Sequence, residues 1–448
     1  MLAWATGKNR NVHLSLLAGL LIFLLSIFYL KWGTSENEAG VYKHKHSNNT
    51  FLSHFKSSFT GVNFGTWEFD VVRDGDNYGL SDSQCSAAFP KLYSDVDEMV
   101  SRRENNHISK TDFDSVEGDH VQKSIRAMIH NGELYIVSDD GLAALQSRGF
   151  ATLHAINRAL LTYPDRAQLP NCEFRVYVGD FAGQGDDTLW VYTKPVQSDT
   201  ENLWLMPDFG MYDWPEAMIG SYTKSRRDMR AVEEEVPWEQ KTRKLVWRGI
   251  IMPNYQSRQD FLRVAQNRSW ADVAAESISE PDGHMISMAD FCRWMFVADV
   301  KGNSWSGGSK YKHNCHSVFV SQRLAWREIY TGAMVDSGPG QNWVSVRDDW
   351  SNLDETLQDL IADPVKAKTI ADNSVRTLRD RYLTPAAEAC YWRRLIQGYA
   401  SVSFEPDFYE KDNITWRGTP FSSVALMGTV RWKSDQDSLI TVARVRHS

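Results

Sequence analysis

The sequence predicts an α/β protein of two domains closed by C-terminal helices. Three observations carry that expectation. Short apolar strand candidates alternate with stretches of helical period in both halves of the chain, strand candidates run into Gly, Asp or Asn, and the region from Ser351 to Val402 reads as helices alone. The 448 residues leave room for two or three domains, and 42% hydrophobic content with 17 Trp supplies buried cores. A net charge of −8 with dispersed Lys and Arg excludes a chain built to coat nucleic acid.

At the N-terminus, Val12–Leu30 carries no charged residue and is long enough to cross a bilayer as a helix. Lys8 and Arg10 precede it, so it is read as a transmembrane signal-anchor (12–30) with a cytoplasmic tail (1–11) and the rest luminal; a cleaved signal peptide is the rival reading. Residues 31–58 are polar and are read as a flexible stem. Asn48, Asn267 and Asn413 begin Asn-x-Ser/Thr triplets, glycosylation acceptors in a secretory lumen. Cys85, Cys172, Cys292, Cys315 and Cys390 fit two disulfides and one free thiol, with the pairing open and no metal-site spacing.

The first domain is expected over 59–240. Ser94 opens a helix with Asp97 at the capping-box position, and Ser101–Asp119 is loop or frayed helix. Leu134–Val137 is a strand candidate, Phe150, Leu153, Ile156 and Leu160 follow at helical spacing, and Phe174–Val178 is the next strand. Asp180 falls at its carboxyl end, the edge where open α/β sheets gather ligands. Asn202–Pro215 is an aromatic loop, either packed core or a grip for sugar rings, and Ser225–Glu235 is a solvated helix face or a connection.

The second domain is expected over 241–402, with 403–448 as an extension. Lys244–Trp247 is a strand leading to Arg248-Gly249, Ser257 with Asp260 starts a helix, and Ser287–Trp294 looks helical. Phe296–Val300 is a strand, Lys301–Ser304 a turn, and Ser304 or Ser306 caps a helix before the strand Ser317–Val320. Such a strand, turn and helix start presents backbone N–H groups to phosphate oxygens; Gly302, Gly307 and Gly308 are equally read as plain turn glycines. Trp343–Val346 is a late strand, and Thr384-Pro385 caps the last helix.

Four stretches carry more than local physics: WRG at Trp247–Gly249, GNSWSG at Gly302–Gly307, GPGQNWVSV at Gly338–Val346, and RDRYLTPAAEACYWRRL at Arg379–Leu395. Together they closely resemble glycosyltransferase family 90. The resemblance implies two Rossmann-like domains of the glycosyltransferase B type, no metal and no cofactor, and inverting transfer from UDP-xylose or UDP-glucose to a polysaccharide or glycoprotein in the Golgi or endoplasmic reticulum of a fungus. It makes Asp180 the general base, places Arg248, Gly249, Arg258, Ser306 and Lys310 at the donor, and puts Trp204, Asp208 and Trp214 on the sugar and acceptor cleft. One departure stands out: the family pattern has an arginine where this chain has Gly308, with Lys310 two residues on as the substitute cation. A catalytically silent, glycan-binding member of the family is the alternative.

Overall fold

Ser124–His130 is a largely buried run that ends in Asn131-Gly132, and this pair makes the turn of a hairpin from β1 (Ser124–His130) to β2 (Glu133–Ser138). Both turn residues have positive φ, 51° and 73°, which Asn-Gly favours and which matches the twist of the flanking strands. The computed structural model describes residues 67–427, apart from 181–186, 197–201, 217, 253 and 277–283.

The first sheet runs β15-β2-β1-β3-β4-β6, with β3 at Cys172–Tyr177, β4 at Leu189–Val191, β6 at Trp204–Leu205 and β15 at Thr419–Pro420. β1 is antiparallel to both β2 and β3, and β15 is antiparallel to β2; β3, β4 and β6 are parallel. This mixed sheet corrects the expectation of a first Rossmann-like domain. The strand, helix and strand read from Leu134 to Val178 exist in that order, but β1 occupies the place between β2 and β3. Apolar patterning marks a strand and is silent about the direction of its neighbour.

The second sheet is parallel throughout. It contains β9 (Thr242–Ile250), β10 (Ala271–Glu276), β11 (Trp294–Asp299), β12 (Val318–Gln322) and β14 (Val344–Val346), in the order β10-β9-β11-β12-β14. β11 is buried along nearly its whole length, the pattern of a strand covered on both faces. Counted within the sheet the order is 2-1-3-4-5, so it reverses between β9 and β11. Crevices beyond the carboxyl ends at such a reversal are where α/β sheets bind ligands.

Several contacts join the two halves. Lys194–Pro195 (β5) pairs with Trp326–Arg327 (β13), Cys85 is bonded to Cys390, and the helix Pro385–Ser401 packs into the first core although it follows the second sheet in sequence. Thr384 caps that helix through Ala387 N, as its Thr-Pro signature predicts. Elsewhere the local readings shift. Ser287–Trp294 is only a 3₁₀ turn at Asp290–Arg293, Lys110–Asp114 is a helix inside the expected loop, and Val375–Tyr382 is a π-helix. The transmembrane helix expected at Val12–Leu30 lies outside the described residues, as do the stem and Asn48. No helix among those described is long and apolar enough to cross a membrane, which corrects the expected fold to an α/β fold stated without a membrane helix.

Candidate active site

Asp180 stands just past the carboxyl end of β3 and meets the turn that follows β11. Asn303 Nδ2 donates to Asp180 Oδ2 at 3.2 Å and Ser304 Oγ donates to the Asp180 carbonyl at 2.7 Å, so the base candidate of the first sheet touches the switch-point turn of the second. Arg148, on the helix Gln146–Leu161, donates to Asp180 Oδ1 at 2.7 Å and lies 5.0 Å from the Phe209 ring. Burial pushes the Asp180 carboxyl up, but the Arg148 guanidinium and the Asn303 amide outweigh it and hold the carboxyl below its ordinary value. Asp180 is therefore ionised at neutral pH, the form a proton acceptor needs.

The turn after β11 is organised by carboxylates as much as by glycines. Asp299, the last residue of β11, accepts from Ser306 Oγ at 2.6 Å and from Lys312 Nζ at 2.7 Å. Ser306 thus holds the turn and caps no helix. The helix begins at Ser309 and is a single turn, Ser309–Lys312, with Gly308 at its N-cap and no side-chain cap. Gly307 packs under Trp214, where an added Cβ would come 2.8 Å from the ring. Gly308 has room, with Lys312 Cε 3.5 Å and Lys312 Nζ 3.7 Å from an added Cβ.

Lys310 does not project into open space. It is fully buried, pairs with Asp208, donates to the Gly307 carbonyl at 2.7 Å, and lies 5.9 Å from the rings of both Phe209 and Trp214. Its charge is matched inside the protein. Gly210 makes the close approach possible, since a Cβ there would meet Lys310 Cε at 2.7 Å.

Arg258, expected at the donor, borders the same turn. It donates to the Ile250 carbonyl at 2.5 Å and to the Lys301 carbonyl at 3.3 Å, and no described carboxylate forms an ion pair with it. Burial lowers its pKa, which marks a desolvated charge. Arg248 faces elsewhere: it ion-pairs with Asp272 at 2.6 Å across β9 and β10 and donates to the carbonyls of Trp247, Asp272 and His284. Gly249 lies against the Trp247 ring, 2.6 Å from an added Cβ. Trp204 is wholly buried, edge-on to Tyr399 at 5.0 Å, and belongs to the core; Trp214 is half-buried beside Lys310. Asn267 and Asn413 are both exposed turn residues with positive φ.

The sequence profile described as Glycosyl transferase family 90 matches residues 81–413, well over half of the chain. The chain belongs to glycosyl transferase family 90. Among curated relatives, Protein O-glucosyltransferase 1 of Homo sapiens is 21% identical over 209 residues, covering 44% of this chain and 52% of that protein. O-glucosyltransferase rumi of Drosophila pseudoobscura pseudoobscura is 21% identical over 197 residues, 41% and 47% of the two chains. The chain spans about half the length of the curated relatives it matches.

For this family 90 chain, sequence reasoning passed over Arg148, Asp299, Asn303 and Lys312. The Asn303 signal was present inside the GNSWSG turn; Arg148 is one of many helix arginines, and nothing in the sequence marks it. A cavity of about 610 Å³ lies away from Asp180, at the amino-terminal edge of the second sheet. Its groups are largely paired within the protein: Lys241 with Glu233, and Arg379 with Glu233 and Asp380.

Proposed function

We propose that this protein is an inverting glycosyltransferase that moves xylose or glucose from a UDP-sugar to a hydroxyl of a glycan or glycoprotein, without a bound metal. The observation that carries the reading is the meeting of an ionised Asp180 with the Asn303–Ser304 turn at the switch point of a parallel sheet. Asp180 takes the proton of the acceptor hydroxyl as its oxygen attacks the anomeric carbon. The bond from that carbon to the UDP oxygen breaks, and UDP leaves with the electron pair. Arg258 and the backbone N–H groups of residues 302–308 meet the charge that grows on UDP, an electrostatic effect of several kcal/mol (~3) where water is excluded. The disulfides Cys85–Cys390 and Cys292–Cys315 support a secretory lumen as the setting.

A second reading, a silent family member that binds glycans, is favoured by two observations: position 308 is Gly, and Lys310 is neutralised by Asp208. One assay separates the two. UDP-sugar hydrolysis and transfer are measured for the native protein and for Asp180→Asn, with UDP binding followed by calorimetry. The enzyme reading expects turnover to fall by about 10²–10⁴-fold in the variant with UDP binding kept. Equal background turnover in both, without UDP binding, leaves the binding protein.

A further inference from the structure

Between the helix Pro385–Ser401 and β15, residues 408–417 fold into a small hairpin beside β1 and β2. Tyr409 bridges Trp416, Arg417 N donates to the Phe408 carbonyl at 3.0 Å, and Glu410 N donates to the Thr415 carbonyl at 2.7 Å. Arg417 anchors the base by pairing with the buried Glu173 at 2.6 Å. The tip is held from within. The Asp412 carboxylate accepts from the amides of Ile414 and Thr415 at 2.9 and 2.8 Å and from the Thr415 hydroxyl at 2.6 Å. Asn413 takes a φ of 55°, a left-handed conformation that Asn tolerates, and its exposed side chain makes no hydrogen bond among the described residues.

An aromatic surface lies next to this tip. Phe408 stacks on Trp416 at 5.8 Å, His130 and Tyr135 meet Trp416 from the sheet at 5.2 and 5.3 Å, and Tyr409 stands edge-on to it at 5.3 Å with 49% of its surface in water. Rings left in water cost free energy unless something covers them, and this loop carries its own acceptor triplet, Asn413-Ile414-Thr415. Residue 413 is three to four residues from Trp416 and Tyr409, about 10 Å along a strand, a span that one or two sugar residues cover. We propose that Asn413 carries an N-linked glycan and that the C–H face of its first sugars packs on the Tyr409 ring, closing the hairpin tip over the aromatic cluster. The glycan comes from a lipid pyrophosphate-linked oligosaccharide. The bond from the Asn413 amide nitrogen to the anomeric carbon forms, and the bond from that carbon to the pyrophosphate oxygen breaks. The lipid pyrophosphate leaves with the electron pair, and the amide proton passes to a base of the transferring enzyme. The inference rests on the secretory-lumen setting given above. Asn267 offers the contrast, because the tryptophan three residues on from it, Trp270, is 6% exposed and bonded to Asp354.

The test is made on the full chain expressed in a eukaryotic host, where mass spectrometry of its glycopeptides reads the occupancy of Asn413. Hydrogen exchange of the 405–418 segment is then compared between the glycosylated protein and Asn413→Asp, which tolerates the same φ and lacks the acceptor nitrogen. Both are measured with Tyr409 and with Tyr409→Ala. Losing the glycan should speed exchange at Glu410 and Arg417 about fivefold where Tyr409 is present, the effect of one aromatic contact, and change it little in Tyr409→Ala. Asn267→Asp leaves the exchange of 405–418 as it is. An unoccupied Asn413, exchange that ignores the loss of the glycan, or equal speeding with and without the Tyr409 ring overturns the inference. A glycan on Asn267 with none on Asn413 does so while keeping the luminal setting, whereas no glycan at any of the three triplets overturns that setting as well.

Discussion

At the scale of single residues, the Arg148–Asp180 contact sets a pH dependence whose sign follows from its parts. Burial raises the Asp180 pKa, and Arg148 with Asn303 more than offsets it, so the carboxyl stays ionised to below its ordinary value. Arg148→Ala removes the charge and leaves the burial, so the acid limb of kcat/KM should move to higher pH. A pH-rate profile reads this directly, and an unmoved limb would mean that Asp180 is not the titrating base. Gly308 gives a second test. Its φ of −82° and ψ of −13° suit any residue and an added Cβ has only ordinary contacts, so Gly308→Arg should change stability by no more than about 0.5 kcal/mol. UDP should bind about tenfold more tightly to it in calorimetry. Unchanged binding would show that Arg258 or Lys312 already supplies the charge.

At the scale of elements, the short helix Ser309–Lys312 exists because of its surroundings. One turn without a side-chain cap is not stable alone. Tyr311 donates from its hydroxyl to the Gly210 carbonyl at 2.7 Å, Lys310 and Lys312 pair with carboxylates, and Cys315 is bonded to Cys292. The next residue, His313, is wholly buried, stacks on Phe319 at 3.7 Å, and has no hydrogen bond at either ring nitrogen. Burial lowers its pKa to about 3, with Lys312 adding to the effect. The unfolded chain takes up this proton below pH ~6.5 and the folded chain does not until about 3, so the stabilising effect is present above the unfolded value and is lost as pH falls between the two. His313→Leu should flatten the decline of unfolding free energy between pH 6.5 and pH 4, as measured by urea titration at each pH. A slope equal to that of the native protein would place the acid sensitivity elsewhere.

At the scale of the whole molecule, the chain builds the first sheet, then the second, then returns to the first. Arg393, on the helix Pro385–Ser401, donates to the Leu80 carbonyl at 2.8 Å and to the Ala159 carbonyl at 3.1 Å, and Arg158 pairs with Glu388 at 2.6 Å. The Cys85–Cys390 bond fastens that return across a sequence separation of 305 residues, against 23 for Cys292–Cys315. Loop-closure entropy makes the longer bridge the more stabilising, so a Cys85→Ser, Cys390→Ser double variant should lose about 2–5 kcal/mol in denaturant unfolding. A smaller loss than that of the Cys292→Ser, Cys315→Ser variant would show that the helix holds its place without the bond.

Much of this was legible in the sequence because it is local. The strands β9, β11 and β12 announce themselves as apolar runs ended by turn residues, Thr384-Pro385 marks a helix start, and Asp180 follows a strand end. The Asn131-Gly132 hairpin carries its own signal as well and only needed to be paired with the apolar run before it. What the tertiary structure alone decided is non-local: that β1 lies antiparallel between β2 and β3, that Lys310 turns inward to Asp208 while Arg258 reaches the turn at Lys301, and that Trp204 is core while Trp214 borders the turn. Residue type and spacing determine which face of an element is apolar. Which partner that face or charge meets depends on chain brought together across tens to hundreds of residues, where sequence order carries no distance.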